Sequence, residues 1–142
     1  MASNLTPPPM PRGIRNNNPL NLEHVPTIRW DGELVPDDGN YCRFKDPVKG
    51  LRAGMIELHN YMLLHGLDTI RGLITRWAPP EENATNSYIE YVSAECGIKP
   101  DYPLEWFLDI IPVTKAMVHF ENGVQPYTDQ QFEQARVQAT TR

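Results

Sequence analysis

Apolar residues recur at steps of three and four along most of the chain after residue 45, the spacing of one buried face of a helix. Val48, Leu51, Met55, Leu58 and Met62 predict a helix that opens at Asp46-Pro47, an N-cap followed by proline at the first helical position, and closes at Gly66. Ile70, Leu73, Ile74 and Trp77 predict a second, opening at Asp68 and ending before Pro79-Pro80, because a residue preceding proline resists the helical conformation. A third runs from Thr85 to Cys96, buries Ile89, Val92 and Cys96, and is capped by Gly97. A fourth follows Asp101 with Leu104, Phe107, Leu108 and Ile111 inward. A fifth begins at Pro112, buries Val113, Ala116, Met117 and Phe120, and stops at Asn122-Gly123. The last opens at Thr128 and Gln131, which have capping-box spacing, with Phe132 and Ala135 as a thin apolar stripe; the chain after Val137 is polar and expected to fray.

The front of the chain lacks this period. Residues 22–44 carry the turn dipeptides Asp31-Gly32 and Asp38-Gly39 and predict an irregular β-hairpin anchored by Trp30, Tyr41 and Phe44. Before them stands Arg12-Gly13-Ile14-Arg15-Asn16-Asn17-Asn18-Pro19-Leu20-Asn21, where three asparagines before proline favour turns held by side-chain-to-backbone hydrogen bonds. Such a loop is either a structural knot or a polar wall for sugar hydroxyls and amides. Residues 1–11, with Pro7-Pro8-Pro9 and Pro11, form a proline-rich arm. The fold class is therefore α+β, mainly α: about six helices with a small β-hairpin near the N-terminus. The expected organisation is an arm (1–11), one domain (12–137) and a polar tail (138–142).

A chain of 142 residues is long enough to bury a real core. The formal net charge is −5, without a Lys/Arg cluster, which argues against nucleic acid as a partner. No apolar run has spanning length, and the polar, proline-rich start does not read as a signal peptide. Cys42 and Cys96 match no metal-ligand spacing and are expected as reduced thiols; His24, His59, His65 and His119 form no zinc motif. No metal or cofactor is expected. A peptidase or amidase is disfavoured for the same reason, since no Cys/His pairing or zinc pattern stands out.

The candidate chemistry starts at Glu121. It lies in the last turn of its predicted helix, at the negative end of the dipole and beside Phe120, and both neighbours disfavour the ionised carboxyl. A carboxyl group kept protonated near neutral pH is what a glycosidic general acid requires; a solvated Glu at a helix end is the plain alternative. His119, two residues earlier, points to another face and is given no role.

Three stretches carry a resemblance: Arg12-Gly13-Ile14-Arg15-Asn16-Asn17-Asn18-Pro19, Arg76-Trp77-Ala78-Pro79-Pro80-Glu81-Glu82-Asn83 to Tyr88, and His119-Phe120-Glu121-Asn122-Gly123 to Pro126-Tyr127. Together they resemble a family of small bacteriophage and prophage proteins known as virion structural proteins or lysozyme-like lysins. The chain departs from that pattern at Leu20, where the family usually has Gly, and at Ala84, where an acidic residue is common. A more distant similarity is to flagellar-type glucosaminidases and lytic transglycosylases of the lysozyme superfamily. There the acidic helix comes first and the Asn-containing segment and β element follow; here the order is reversed, so the resemblance implies a circularly permuted lysozyme-like domain over residues 12–137.

The resemblance implies a peptidoglycan-cleaving glycosidase of a bacteriophage with Glu121 as proton donor. Glu82, then Glu81, is the candidate second carboxylate, or both are solvated loop charges. Asn16, Asn17, Asn18 and Asn21 match the amide of an N-acetyl group. Tyr88 is either a sugar or acid contact or a half-buried structural tyrosine. Trp30 is either a sugar platform or a core plug, and Tyr127 either lines the cleft or packs the last helix. The implied partners are peptidoglycan strands and, through residues 1–11, other virion proteins. The implied location is the host cytoplasm during infection and then the periplasm and cell wall, or the virion. A non-catalytic virion component, either a structural protein or one that binds wall glycan, is the competing expectation.

Overall fold

The computed structural model describes residues 10–81 and 83–141, with the backbone alone at 36–38. In chain order the elements are α1 (Arg12–Arg15), β1 (Glu33–Asp38), β2 (Tyr41–Phe44), α2 (Pro47–His65), α3 (Ile70–Trp77), α4 (Thr85–Cys96), α5 (Trp106–Asn122) and α6 (Asp129–Thr140). The protein is mainly helical with a small two-stranded antiparallel sheet near its front, the class expected from the hydrophobic pattern. Residues 1–9 of the expected arm, and Glu82, lie outside the described residues.

Local chemistry accounts for most helix ends. The Asp46 carboxylate accepts from the Lys49 N–H at 3.0 Å, and Pro47 occupies the first position of α2. α3 starts one residue later than predicted, at the Thr69 cap, whose hydroxyl accepts from Gly72 N–H at 3.0 Å. α6 carries both halves of a capping box between Thr128 and Gln131. Gly66, Gly97 and Gly123 close α2, α4 and α5 in the left-handed conformation.

Two expectations are corrected. The predicted fourth and fifth helices are one, α5, with Pro112 inside it. Its start is set by the Glu105 side chain, which accepts from Leu108 N–H at 3.1 Å. Trp106 then anchors the inner face: it is buried, stacks on His59 with ring centroids 4.3 Å apart and donates to the Met55 carbonyl at 3.4 Å. The inward set is Trp106, Ile110, Val113 and Met117, so Phe107 (43 % exposed) and Leu108 (69 % exposed) turn outward. The hydrogen bond that Pro112 cannot donate would have gone to the carbonyl of Leu108, an exposed residue that water can serve. The second correction concerns the tail. α6 continues past Val137 to Thr140, because Ala139 is fully buried and extends the stripe of Phe132 and Ala135.

The core lies between α2, α3, α4, α5 and α6, with Leu51, Met55, Leu58, Ile74, Val92 and Met117 among its fully buried members. Each such side chain contributes about 1.5–3 kcal/mol on transfer from water. A satellite cluster of Leu22, Cys42, Phe44 and Ala53 fastens the sheet to α2, with Trp30 and Trp77 against it. No described helix is long and apolar enough to cross a membrane.

Candidate functional site

The asparagine segment folds as a knot that ties the sheet to two helices. α1 ends at Asn16, after which Asn17 (φ 52°) and Asn21 (φ 55°) take the left-handed conformation that Asn tolerates better than most residues. Asn18 is fully buried: its amide donates to the carbonyls of Leu22 and Cys42, each at 3.0 Å, and its oxygen accepts from Leu22 N–H at 2.9 Å. Asn17 donates to the Phe44 carbonyl at 3.1 Å. At the far end of the chain, Asn122 donates to the Pro19 carbonyl at 2.8 Å and to Val118 at 2.9 Å. The end of α5 is thereby pinned against the knot, and Glu121 meets Asn21, whose amide donates to its Oε1 at 3.0 Å.

Glu121 opens onto a cleft of ≈ 630 Å³ that is also lined by Asn21, Arg12, Tyr41, Glu23, Glu57, Tyr61, Arg76 and Trp77. Burial pushes its carboxyl above the ordinary value of 4.5; the Asn21 hydrogen bond, the neighbouring Tyr88 hydroxyl and the Arg12 charge oppose the shift without cancelling it. Tyr88 lies behind the acid, buried, with its ring stacked on Phe120 at 4.0 Å. Its hydroxyl sits beside Glu121 close enough to interact electrostatically, yet makes no well-formed hydrogen bond. Burial, then the charge of Glu121, holds the Tyr88 hydroxyl well above its usual range, so it stays a neutral dipole.

Much of the remaining lining is aromatic and cationic. Tyr61 and Trp77 meet edge to face at 5.9 Å, Arg76 lies 5.0 Å from the Tyr61 ring centroid, and the Arg12 guanidinium sits 3.6 Å above the centroid of Tyr41. Glu57, one turn before Tyr61 on α2, is also raised by burial, opposed by Arg76 and His65. The site thus holds a desolvated acid, an amide donor, ring faces and fixed positive charge in one groove.

Among the residues singled out in the sequence, the structure brings together Glu121, Asn21 and, behind them, Tyr88. Asn17 and Asn18 spend their amide groups on backbone, and Asn16 is buried. Trp30 is half-buried against both core clusters. Tyr127 packs edge-on against Phe132 at 6.3 Å, with burial pushing its hydroxyl up to about 12. None of these five lines the cleft. Glu82 lies outside the described residues, and Glu81 is exposed in the turn before α4. Sequence reasoning missed Glu57 and Glu23 as cleft carboxylates and Tyr61 and Arg76 as its wall. The one signal available was the four-residue step from Glu57 to Tyr61, which places a carboxyl and an aromatic ring on one face of the helix.

No family model matches the chain. Over 122 residues it is 43% identical to "Protein P5" of Pseudoalteromonas phage PM2, an alignment that covers 82% of this chain and 74% of that protein.

Proposed function

The chain belongs to the family of Protein P5 of Pseudoalteromonas phage PM2, and we propose that this bacteriophage protein is a peptidoglycan-cleaving glycosidase with Glu121 as its general acid. The observation that carries the reading is a carboxyl group raised by burial yet open to a polar, aromatic-walled cleft. Glu121 protonates the glycosidic oxygen, the C–O bond breaks, and an oxocarbenium-like centre develops. Asn21 holds the acid in register, while Tyr41, Tyr61 and Trp77 line the groove where a sugar would lie, with Arg12 over one face of Tyr41 and Arg76 over Tyr61. In the second half-reaction Glu121 takes a proton back, either from water, which gives hydrolysis, or from a hydroxyl of the same sugar, which gives an anhydro product. Glu57 and Glu23 share the cleft with Glu121, and burial raises the Glu57 carboxyl above its ordinary value, so a carboxyl that assists Glu121 can come from either. The circularly permuted lysozyme-like reading rests on the resemblance of the three sequence motifs alone.

Clearing of outer-membrane-permeabilised cells, with mass analysis of the released muropeptides, tests this. Wild type clears and releases fragments; Glu121→Gln loses about 10²–10⁴-fold, the usual worth of a positioned acid. A second reading, a virion component that binds wall glycan without cutting it, is favoured by the ring faces alone. Retention of both proteins on purified sacculi, with no fragments from either, would select it.

A further inference from the structure

Behind the cleft wall, nitrogen, sulfur and oxygen donors converge. His24, Glu33 and Cys42 are spaced at intervals of nine residues (24, 33, 42), a pattern that matches no ligand motif. The fold nevertheless brings one donor atom of each within 4.8 Å of the others. Three neighbouring extended segments achieve this. β1 pairs with β2 so that Glu33 faces Phe44. Residues 22–24 run along the other side of β2, with Cys42 N–H donating to the Leu22 carbonyl at 3.0 Å and His24 N–H to the Asn40 carbonyl at 2.8 Å. Strand alternation then puts Cys42 on the inner face and Tyr41 on the cleft face.

The Glu33 side chain is 1 % exposed and that of His24 24 %. Glu33 Oε2 lies 3.0 Å from His24 Nδ1, and its Oε1 accepts from Trp30 N–H at 3.0 Å. A carboxylate withdrawn from water, with its second oxygen held by a backbone donor, is how a metal-ligating carboxylate is oriented. We propose that His24, Glu33 and Cys42 bind a single Zn²⁺ ion, with a fourth position open toward the partly exposed side of His24.

The geometry and charge agree with that ion. Ligand atoms around tetrahedral zinc stand about 3.3–3.6 Å apart, given bonds of about 2.0–2.3 Å. The His24–Glu33 pair is already near this spacing, and Cys42 Sγ lies within 4.8 Å of both. On binding, Cys42 releases its thiol proton to solvent, and the proton shared between His24 Nδ1 and Glu33 Oε2 is also given up to solvent, so that His24 presents the lone pair of Nδ1 and Glu33 binds as the anion. Two anionic ligands cancel the charge of the ion, so the buried complex is neutral. A single sulfur, nitrogen and oxygen set suits zinc, whereas Ca²⁺ and Mg²⁺ take all-oxygen shells of six or more ligands. The consequence is structural: a two-stranded sheet is marginal by itself, and the ion staples residues 22–24 to both strands, next to the loop that carries Asn21.

The test uses the full chain stripped with a chelator and titrated with Co²⁺ as a spectroscopic stand-in, then with Zn²⁺. One equivalent of Co²⁺ gives thiolate-to-cobalt charge-transfer absorption that Zn²⁺ abolishes, and Tm rises with Zn²⁺ but not with Ca²⁺ or Mg²⁺. Cys42→Ser removes the absorption. Because Cys42 is buried, His24→Gln is the second variant, with its fold checked by circular dichroism; it weakens Zn²⁺ by more than about 100-fold, beyond the usual cost of losing an outer-shell partner. A wild-type titration without the charge-transfer band, or a folded His24→Gln chain that binds Zn²⁺ as tightly as wild type, overturns the assignment. None of these readouts depends on glycan cleavage by Glu121.

Discussion

Ionising Glu121 is costlier in the folded chain than in the unfolded one, and the sign of that cost makes it measurable. Its folded pKa is raised above 4.5 by burial, so between 4.5 and the folded value the native state holds a proton that the unfolded state has lost. Stability therefore falls as pH rises through this window, and Glu57 adds to the same slope. In urea unfolding from pH 4.5 to 8, Glu121→Gln should flatten the slope, its advantage over wild type growing with pH; an unchanged slope would mean that the carboxyl is well hydrated. Asn21→Gly keeps the left-handed backbone and removes the hydrogen bond that lowers the Glu121 pKa. A ¹³C NMR titration of the carboxyl should move to higher pH and, on the proposed glycosidase function, the alkaline limb of cleavage with it. Asn18 answers to stability instead. Asn18→Ala strands Leu22 N–H and two carbonyls, and should cost at least about 2 kcal/mol in chemical denaturation. From the sequence Glu121 was legible as a raised acid, since a helix end leaves few reasons for a carboxylate. The dominant cause was not legible: it is burial of the carboxyl in the fold, opposed by Asn21, a hundred residues away, and by Tyr88, whereas Phe120 stays 37 % exposed. The split between Asn18 and Asn21 was equally hidden, because four asparagines in one loop look alike until their partners are placed.

Whole elements approach one another most closely where α2 passes the asparagine knot. A Cβ added at Gly50 would stand 1.8 Å from the carbonyl oxygen of Asn17, a backbone atom held by the hydrogen bonds of its own loop. Ala normally gains about 1 kcal/mol over Gly inside a helix. Here the overlap, worth about 1–3 kcal/mol as forced packing, offsets or exceeds that gain. Gly50→Ala should therefore destabilise by up to about 2 kcal/mol, read from the urea midpoint, and displace Asn21 from Glu121; a gain in stability would mean the approach is looser. One turn on, Gly54 leaves the notch that Leu20 fills, since a Cβ there would come within 2.4 Å of Leu20 Cδ1. The large residue at 20 and the absent side chain at 54 form one fitted contact. Helix positions were legible wherever a cap or a stop is written locally, as at Asp46, Gly66, Gly97 and Thr128. The join of α5 across Pro112 was not, because proline suits a first turn by local rules and only the burial of Trp106 and Ile110 shows that the helix began earlier.

At the scale of the whole molecule the charge balance and the cleft pull in opposite directions. The chain carries a formal −5, so its overall field repels an anionic cell envelope. The cleft holds Arg12 and Arg76 at its walls, and their attraction works only at short range. Salt separates the two, because charges beyond a Debye length of about 10 Å at 0.1 M are screened first, while contacts inside the groove persist. Raising ionic strength from about 0.01 to 0.15 M, across which that length shrinks from about 30 to 8 Å, should speed association with purified sacculi a few-fold and leave the residence time nearly constant. Arg76→Gln should shorten residence without altering the salt response of the association rate. A fall in association with added salt would show the opposite: that the arginines of the cleft dominate the long-range field, and that the acidic surface elsewhere on the molecule plays no part in the encounter.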